Sequence, residues 1–459
     1  MILVLTAALL LLTSAGFWLG RSRAFAVGGG HTGSFHSRPQ YHGMYVALWC
    51  ALPSFLLVAV WLVLEPLIAE WLLLANLPAD VQALDQNQLR LLVSDIKRHA
   101  LGNIVSRELE PAMQIAADGY ARFRDIAGLA MVAAALSSAV MGLSWARRRI
   151  AVEFRARNRV EKTFDLIMVV ASTVAILTTV GIVLSLLFEA LLFFGRVSFV
   201  EFLFGLHWSP QMALRAEQVG SSGSFGAVPL FAGTLLIAFV AMCVAAPIGL
   251  FSAIYMSEYA GPRLRATAKP MLEILAGVPT VVYGFFAALT MAPFVRDVGE
   301  AIGVSVASES ALAAGIVMGI MIIPLVSSLS DDVMNAVPQT LRDGAYALGA
   351  TKSETIKQVI IPAALPGIVG GMLLAVSRAI GETMIVVMAA GLAANLTANP
   401  LEPVTTVTVQ IVTLLVGDQE FDSAKTLAAF ALGLVLFLAT LGLNVIALHV
   451  VRKYREQYD

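Results

Sequence analysis

Two charged residues lie deep inside an apolar stretch near the carboxyl end of this 459-residue chain. Arg378 and Glu382 are four residues apart within 363–392, a run that is otherwise mostly apolar. A charge at the centre of a membrane costs roughly 2.5–3.5 kcal/mol or more per residue. Because the spacing predicts one shared helix face, the two residues form either a mutually neutralised structural pair or part of an anion path. Lys269 and Glu273 repeat this spacing nearer a membrane edge, where an anchoring role is favoured.

Arginine is well suited to bind a tetrahedral oxyanion, because its guanidinium presents a planar fork of donors and does not deprotonate. In this interpretation Glu382 offsets the charge of Arg378 while the path is empty, and it accepts a hydrogen bond from a protonated oxyanion. Ser377 and Thr383 supply nearby hydroxyl donors. The predicted substrate path therefore consists of Ser377, Arg378, Glu382 and Thr383, and no catalytic residue or metal site is predicted.

The composition predicts an all-α polytopic membrane protein. Hydrophobic residues make up 58% of the chain and charged residues only 13%, and repeated apolar runs of about 20 residues are typical of transmembrane helices. The net charge of -1 argues against binding to nucleic acid. About nine spans are predicted, at roughly 1–20, 44–64, 126–146, 165–194, 227–256, 271–293, 311–330, 363–392 and 425–450.

The distribution of basic residues predicts how these spans are oriented in membrane lipid. Connections that face the cytoplasm carry an excess of lysine and arginine. Most of the basic residues lie in 21–43, 147–164, 257–270, 331–362 and 451–459. We therefore expect these connections and the C-terminus to be cytoplasmic and the N-terminus to face outward.

The connection before the span of Arg378 has strong helix signals. Thr340 with Asp343 and Thr351 with Glu354 both have the spacing of a capping box, in which the first residue caps a helix and the second reaches back. Gly349 lies between them and suits the left-handed conformation that ends a helix. The sequence therefore predicts two short helices that meet at a glycine corner.

The two predicted helices cover 341–348 and 352–361. Leu341, Ala345 and Leu348 fall on one face of the first helix. The sequence therefore predicts a small apolar surface on the first helix, and we expect a partner in the aqueous phase to bind it.

The same loop resembles the cytoplasmic EAA loop of ABC-importer permeases, whose usual pattern is Glu-Ala-Ala-x3-Gly-x9-Ile-x-Leu-Pro. Asp343-Gly344-Ala345, Gly349 and Val359-x-Ile361-Pro362 keep its spacing with mild substitutions. The segment 377–383 is similar to the RA-x-GET segment of phosphate-uptake permeases, and 202–210 and 275–284 resemble that family as well.

The resemblance covers about 200–459 and implies the permease subunit of an ATP-driven phosphate importer of the PstC type. It implies a six-helix type I permease core over 161–459 in the bacterial inner membrane. It also implies a second permease of the PstA type, two ATPases of the PstB type that bind ATP, and a periplasmic phosphate-binding protein of the PstS type. The chain has no Walker A pattern, so we expect no ATPase site and no cofactor of its own. The ATPase-coupling residues implied are Leu341, Arg342, Asp343, Gly344, Ala345, Leu348, Gly349 and Pro362.

Several alternatives stay open at the level of sequence. The chain could be the PstA-type partner or a permease for sulfate, molybdate or an organic solute. It could also be a membrane scaffold that signals phosphate status, or an ion-driven transporter, although the capped loop argues against the latter. About three spans are predicted within residues 1–160, which we expect to form a separate N-terminal domain. Within it, the polar segment 76–125 is either an outside-facing cap on the helices or a contact for a partner.

Overall fold

The fold is described from a computed structural model that covers residues 2–28, 36–75, 77, 81, 86–100, 111–212, 222–416 and 423–454. Within these residues, nine helices are long and apolar enough to cross a membrane, which confirms the predicted number. The chain divides into two compact units, Met1–Ile176 and Leu177–Asp459, and the division falls within one long helix. The predicted domain boundary at residue 160 lies in the same helix and stays a prediction.

The first unit consists, in its described residues, of four helices and the beginning of a fifth. Long apolar runs form the membrane-spanning helices, and a polar run forms the short one. The helices are α1 (Ile2–Val27), α2 (Pro39–Ala75), α3 (Gln86–Ala100), α4 (Pro111–Arg148) and α5 (Ala156–Phe194), of which α5 continues into the second unit.

Close packing in the first unit depends on glycine at two helix crossings. A Cβ atom at Gly142 of α4 would lie 1.9 Å from the carbonyl oxygen of Trp49 in α2. A Cβ atom at Gly43 of α2 would lie 2.7 Å from the carbonyl oxygen of Phe17 in α1. Small residues let membrane helices approach at backbone distance, so neither position accommodates a side chain.

Helix α3 lies in the polar segment predicted within 76–125 and is amphipathic. Its Val93 and Ile96 are buried against Leu73 of α2 and Ala117 of α4. The apolar face of α3 is therefore covered inside the first unit, which favours a cap on the helices over a free contact surface.

The second unit contains the rest of α5 and a larger set of elements. Three of its helices contain π-helical turns, at Tyr255–Tyr259, Ala287–Met291 and Ile356–Ile360. The elements are α6 (Phe199–Phe204), β1 (Trp208–Met212), β2 (Ser222–Phe225), α7 (Val228–Ile254), α8 (Pro262–Ala276), α9 (Thr280–Phe286), α10 (Ala292–Ala301), α11 (Ala311–Asn335), α12 (Gln339–Ala347), α13 (Lys352–Thr355), α14 (Ile361–Ile380), α15 (Met384–Ala389), α16 (Val407–Leu415) and α17 (Ala424–Tyr454).

Helix α11 lies at the centre of the second unit. Of its apolar window, 61% is buried, whereas no other span of the described residues exceeds 33%. Helix α7 packs along it at Gly315 and Gly319, where an added Cβ would lie within 3 Å of Val240 and Val244. Asp331, which lies on the buried face of α11, is therefore enclosed by protein, whereas its neighbour Asp332 is exposed.

The predicted all-α class is confirmed, with one small exception among the described residues. Strands β1 and β2 form an antiparallel hairpin in which Trp208 is opposite Phe225. The hairpin packs through these rings onto Phe193 and Phe202, which are fully buried.

Most spans extend beyond their predicted bounds, and two differ in another way, since one is displaced along the chain and one ends early. The span predicted over 271–293 occupies Thr280–Ala301. Gly277 ends α8 and Pro279 caps the next helix, so α8 is a separate element. The span predicted over 363–392 ends at Ile380, within the RA-x-GET segment.

Candidate functional site

The helix that carries Arg378 breaks immediately after it. Helix α14 ends at Ile380, and Glu382 lies in a non-helical link before α15. The prediction that Arg378 and Glu382 share one helix face is therefore wrong. Its physical reason is a competing hydrogen bond: Oε1 of Glu382 accepts the backbone N–H of Met384 at 3.1 Å, so the carboxylate caps the following turn.

The two charges also do not form an ion pair. In the described part of the chain, Arg378 has no carboxylate oxygen within 4.0 Å, and Glu382 has no basic nitrogen within that distance. The alternative of a mutually neutralised structural pair is therefore not supported by the geometry. The guanidinium N–H donors of Arg378 therefore remain available to bind another group.

Arg378 lines a cavity of about 280 Å³ in the second unit. One wall is α11 from Met321 to Asp331, a length of about 15 Å at the rise of an α-helix. Helix α14 runs antiparallel to α11, since Gly367 meets Val333 and Gly371 meets Leu329. Arg378 therefore lies near the Met321 end, and the cavity extends from it along α11 toward Asp331.

The opposite end of the cavity holds a saturated ion cluster around Asp331, whose side chain is only 1% exposed. Arg265 donates to both of its carboxylate oxygens, at 3.0 and 3.1 Å, and Lys269 donates at 2.9 Å. Asn335 Nδ2 donates at 2.9 Å. These bonds join α8 to α11, because a buried carboxylate is tolerated only when it is paired.

The structure corrects the predicted pairing of Lys269. Its Nζ binds Asp331 and, at 3.3 Å, Asp332, and not Glu273 of its own helix. The hydrogen bond to Asp331 raises the pKa of Lys269, so the ammonium stays protonated at neutral pH. Sequence reasoning missed Asp331, although an acidic pair at the end of an apolar span was a usable signal.

The other predicted path residues do not line this cavity. Ser377, Glu382 and Thr383 are half-buried, and Arg378 is the member of the predicted set that borders it. Their assignment to the path stays a prediction.

A chain of buried polar groups extends from the hairpin to the helix break. Trp208 Nε1 donates to Oε1 of Gln410 at 2.9 Å, and Gln410 Nε2 donates to Thr405 at 3.2 Å. The next residues continue the chain, since Oγ1 of Thr406 and Oγ1 of Thr408 lie 3.0 Å apart. Thr408 in turn donates to the carbonyl oxygen of Glu382 at 2.8 Å. The break beside Arg378 is therefore held in place by α16.

The predicted coupling loop is the segment 336–362, and its glycine corner is confirmed. Gly349 has φ +86°, and Thr351 with Glu354 forms a complete capping box at the start of α13. The capping box predicted at Thr340 is wrong, because α12 begins at Gln339, two residues earlier than predicted, with Pro338 as its cap. The second predicted helix does not stop at 361 but continues past Pro362 into α14.

One side of the coupling loop contacts the rest of the chain, and the other side is exposed. Arg342 pairs with the carboxylate of Glu258 and donates to the carbonyl oxygen of Met334 at 2.7 Å. Leu341 is half-buried and packs in the same region, so it is not part of the free side.

Leu348 lies at the end of α12 and is 91% exposed. Tyr346, which the sequence reasoning missed, is also exposed. Of the other predicted coupling residues, Asp343, Gly344 and Gly349 are exposed and Ala345 is half-exposed. Their role in coupling stays a prediction.

Comparison with known proteins gives two family matches. Residues 245–456 match the family described as binding-protein-dependent transport system inner membrane component. Residues 6–178 match a family of unknown-function domains described as phosphate ATP-binding cassette transporter. The first match includes α11, Arg378 and the coupling loop.

Curated relatives match more than half of the chain. The probable ABC transporter permease protein YqgH of Bacillus subtilis is 33% identical over 282 residues, which is 61% of this chain and 85% of that protein. The phosphate transport system permease protein PstC of Xylella fastidiosa strain Temecula1 is 30% identical over 319 residues, or 65% of this chain and 93% of that protein. The phosphate transport system permease protein PstC 1 of Mycobacterium tuberculosis is 32% identical over 284 residues, which is 56% of this chain and 83% of that protein.

The spans, the cavity and the helix–glycine–helix loop agree with these matches. The chain is a multi-pass inner-membrane protein and a transport component. It belongs to the family of binding-protein-dependent transport system inner membrane components.

Proposed function

We propose that this chain is a permease subunit of an ATP-driven importer of inorganic phosphate and forms half of its translocation path. The observation that carries the proposal is Arg378 at the end of an intramembrane cavity, with no carboxylate within 4.0 Å among the described residues. An unpaired guanidinium is suited to a doubly charged tetrahedral oxyanion. The phosphate transporter family match and the names of the PstC relatives support the choice of anion.

The proposed importer contains partners that supply energy and substrate. A second permease of the PstA type completes the path, two ATPases of the PstB type bind ATP, and a phosphate-binding protein of the PstS type delivers the anion. The positive-inside distribution of basic residues supports a cytoplasmic C-terminus and a cytoplasmic coupling loop.

The coupling loop is proposed to dock on an ATPase subunit through Leu348 and Tyr346, its exposed apolar side chains. Arg342 does not face that partner. Its buried pair with Glu258 ties α12 to the end of the α7 span, so a displacement of α12 reaches the permease core.

The decisive experiment replaces Arg378 by Gln in the complete importer, reconstituted in liposomes with its binding protein. Uptake of radiolabelled phosphate should fall by about tenfold or more, since hydrogen bonds to charged groups contribute about 1.5–3 kcal/mol. Sulfate and molybdate are added as competitors to test which anion the importer carries. Neither should reduce the uptake of radiolabelled phosphate.

A matched control is Arg296→Gln, because Arg296 lies on α10, where its contacts with Asp297 and Glu300 are at 4.0 Å. This variant should keep its uptake. Normal phosphate flux through an assembled Arg378→Gln importer would refute the role of Arg378.

A further inference from the structure

The cavity beside Arg378 contains a hydroxyl group that has no hydrogen-bond partner among the described residues. Ser327 of α11 is fully buried and lines the cavity. Its Oγ makes no hydrogen bond with any described residue. Buried polar groups are nearly always paired, so this exception requires a physical reason.

Two other buried hydroxyls in the spans donate to carbonyl oxygens of their own helices. Ser54 donates to the carbonyl oxygen of Cys50, and Thr234 donates to that of Leu230, both at 2.7 Å. This bond to the preceding turn is available to serine in a helix. Ser327 does not make it, and its hydroxyl therefore stays available to a ligand in the cavity.

A cation lies on another wall of the same cavity. Lys269 of α8 lines it, and its side chain is about one-third exposed. An ammonium has three donors on a flexible stem, so Lys269 can turn toward an anion without a change in the backbone.

The ion cluster tolerates such a movement. Asp331 would keep Arg265 on both carboxylate oxygens and Asn335 on one of them. Because the buried carboxylate stays paired without Lys269, that lysine is the exchangeable member of the cluster.

We propose that the cavity holds the transported oxyanion at a second position, displaced from Arg378 toward α8, where Ser327 and Lys269 donate to it. This subsite rests on the proposed phosphate transport. A cavity of about 280 Å³ has room for a tetrahedral oxyanion with some of its water, since one water occupies about 30 Å³ in the liquid. Glu273 also lines the cavity and accepts a hydrogen bond from a protonated phosphate oxygen.

The first test is Ser327→Ala in the complete importer. Uptake of phosphate should fall by about tenfold, because a hydrogen bond to a charged ligand is lost. The thermal midpoint of the variant should be equal to or higher than that of the parent, because the hydroxyl has no partner to lose. A purely structural serine would give the opposite result, with lower stability and uptake that follows the amount of folded importer.

Ser54→Ala is the matched control, since Ser54 is equally buried but bonds to its own helix. It should keep the uptake rate per folded complex. If Arg378→Gln abolishes uptake while Ser327→Ala transports normally, the subsite is refuted and the phosphate path through Arg378 stands. If the parent importer carries no phosphate, both proposals fail.

A second measurement detects occupancy directly. Ser327→Cys is made in a background with Cys50→Ser and Cys243→Ala, which removes both natural cysteines of the chain. Inorganic phosphate at millimolar concentration should slow the modification of this cysteine by a small thiol reagent several-fold. Identical modification rates with and without phosphate would overturn the proposed subsite.

Discussion

The two ends of the cavity differ in how the chain satisfies their polar groups. Around Asp331, every charge is matched by partners on α8 and α11. At the other end, the described residues provide no ion pair for Arg378, and between the two ends they provide no hydrogen bond to the Ser327 hydroxyl. A saturated cluster stabilises the fold, whereas unsatisfied groups beside a cavity are available to a transient ligand.

The coupling loop repeats this contrast over a few residues. Arg342 is turned inward and paired with Glu258, while Leu348 is almost completely exposed. Side chains that face the rest of the chain stabilise the loop, and side chains that face solvent are available to bind a partner. Variants on each side should therefore affect stability and transport separately.

The largest effect on stability is expected for Asp331→Asn. An amide cannot balance the charge of Arg265, and Lys269 would keep only its 3.3 Å contact with Asp332 among the described residues. Breaking a buried ion pair costs about 3–5 kcal/mol. Thermal or denaturant unfolding of the purified chain in detergent should show a loss of this size.

Asp332→Asn separates this loss from a general effect of charge on α11. The side chain of Asp332 is 63% exposed and has only the 3.3 Å contact with Lys269. Its replacement should change stability by less than about 0.5 kcal/mol. Equal losses for the two variants would show that the Asp331 cluster is not the stabilising end of the cavity.

A smaller effect is expected for Thr408→Val, which keeps the shape of the side chain and removes its bond to the carbonyl oxygen of Glu382. The variant also loses the contact with Oγ1 of Thr406, and the loss of two buried hydrogen bonds should cost about 2 kcal/mol in stability. Because the bond to Glu382 holds the helix break beside Arg378, phosphate uptake should fall about fivefold even when the importer is fully assembled.

Thr440→Val is the control, because the Thr440 hydroxyl donates to the carbonyl oxygen of Leu436 within its own helix and lies outside that chain of polar groups. It should lower stability without a matching loss of uptake. If Thr408→Val transports at the normal rate per folded complex, the chain of buried polar groups from Trp208 to Thr408 does not position the break.

The sequence predicted the features that depend on local patterns. The number of spans follows from runs of apolar residues. The corner at Gly349 follows from a residue that adopts positive φ, and the cap at Thr351 follows from its spacing to Glu354. Each of these is decided within a few residues of chain, so one sequence is sufficient to identify them.

The features that sequence reasoning missed are decided by distant partners. Lys269 had a nearby acid four residues away, but Asp331 lies across the helix packing and binds it instead. Helical periodicity continued through Glu382, but Met384 and Thr408 provide bonds that end the helix there. Only the packing of α8, α11 and α16 around α14 brings these groups together.

The smallest effect on stability and a large effect on function are expected at the same residue, Leu348. Its side chain is 91% exposed, so Leu348→Ser should change the free energy of unfolding by less than about 0.5 kcal/mol. If α12 docks on an ATPase through this residue, ATP-dependent uptake should fall severalfold and ATP hydrolysis should no longer respond to the loaded binding protein. Leu206→Ser is the control, since Leu206 is an exposed leucine beside the hairpin and outside the coupling loop. Equal coupling in the two variants would mean that the exposed end of α12 is an ordinary surface, and that the contrast between inward and outward groups applies only to the cavity.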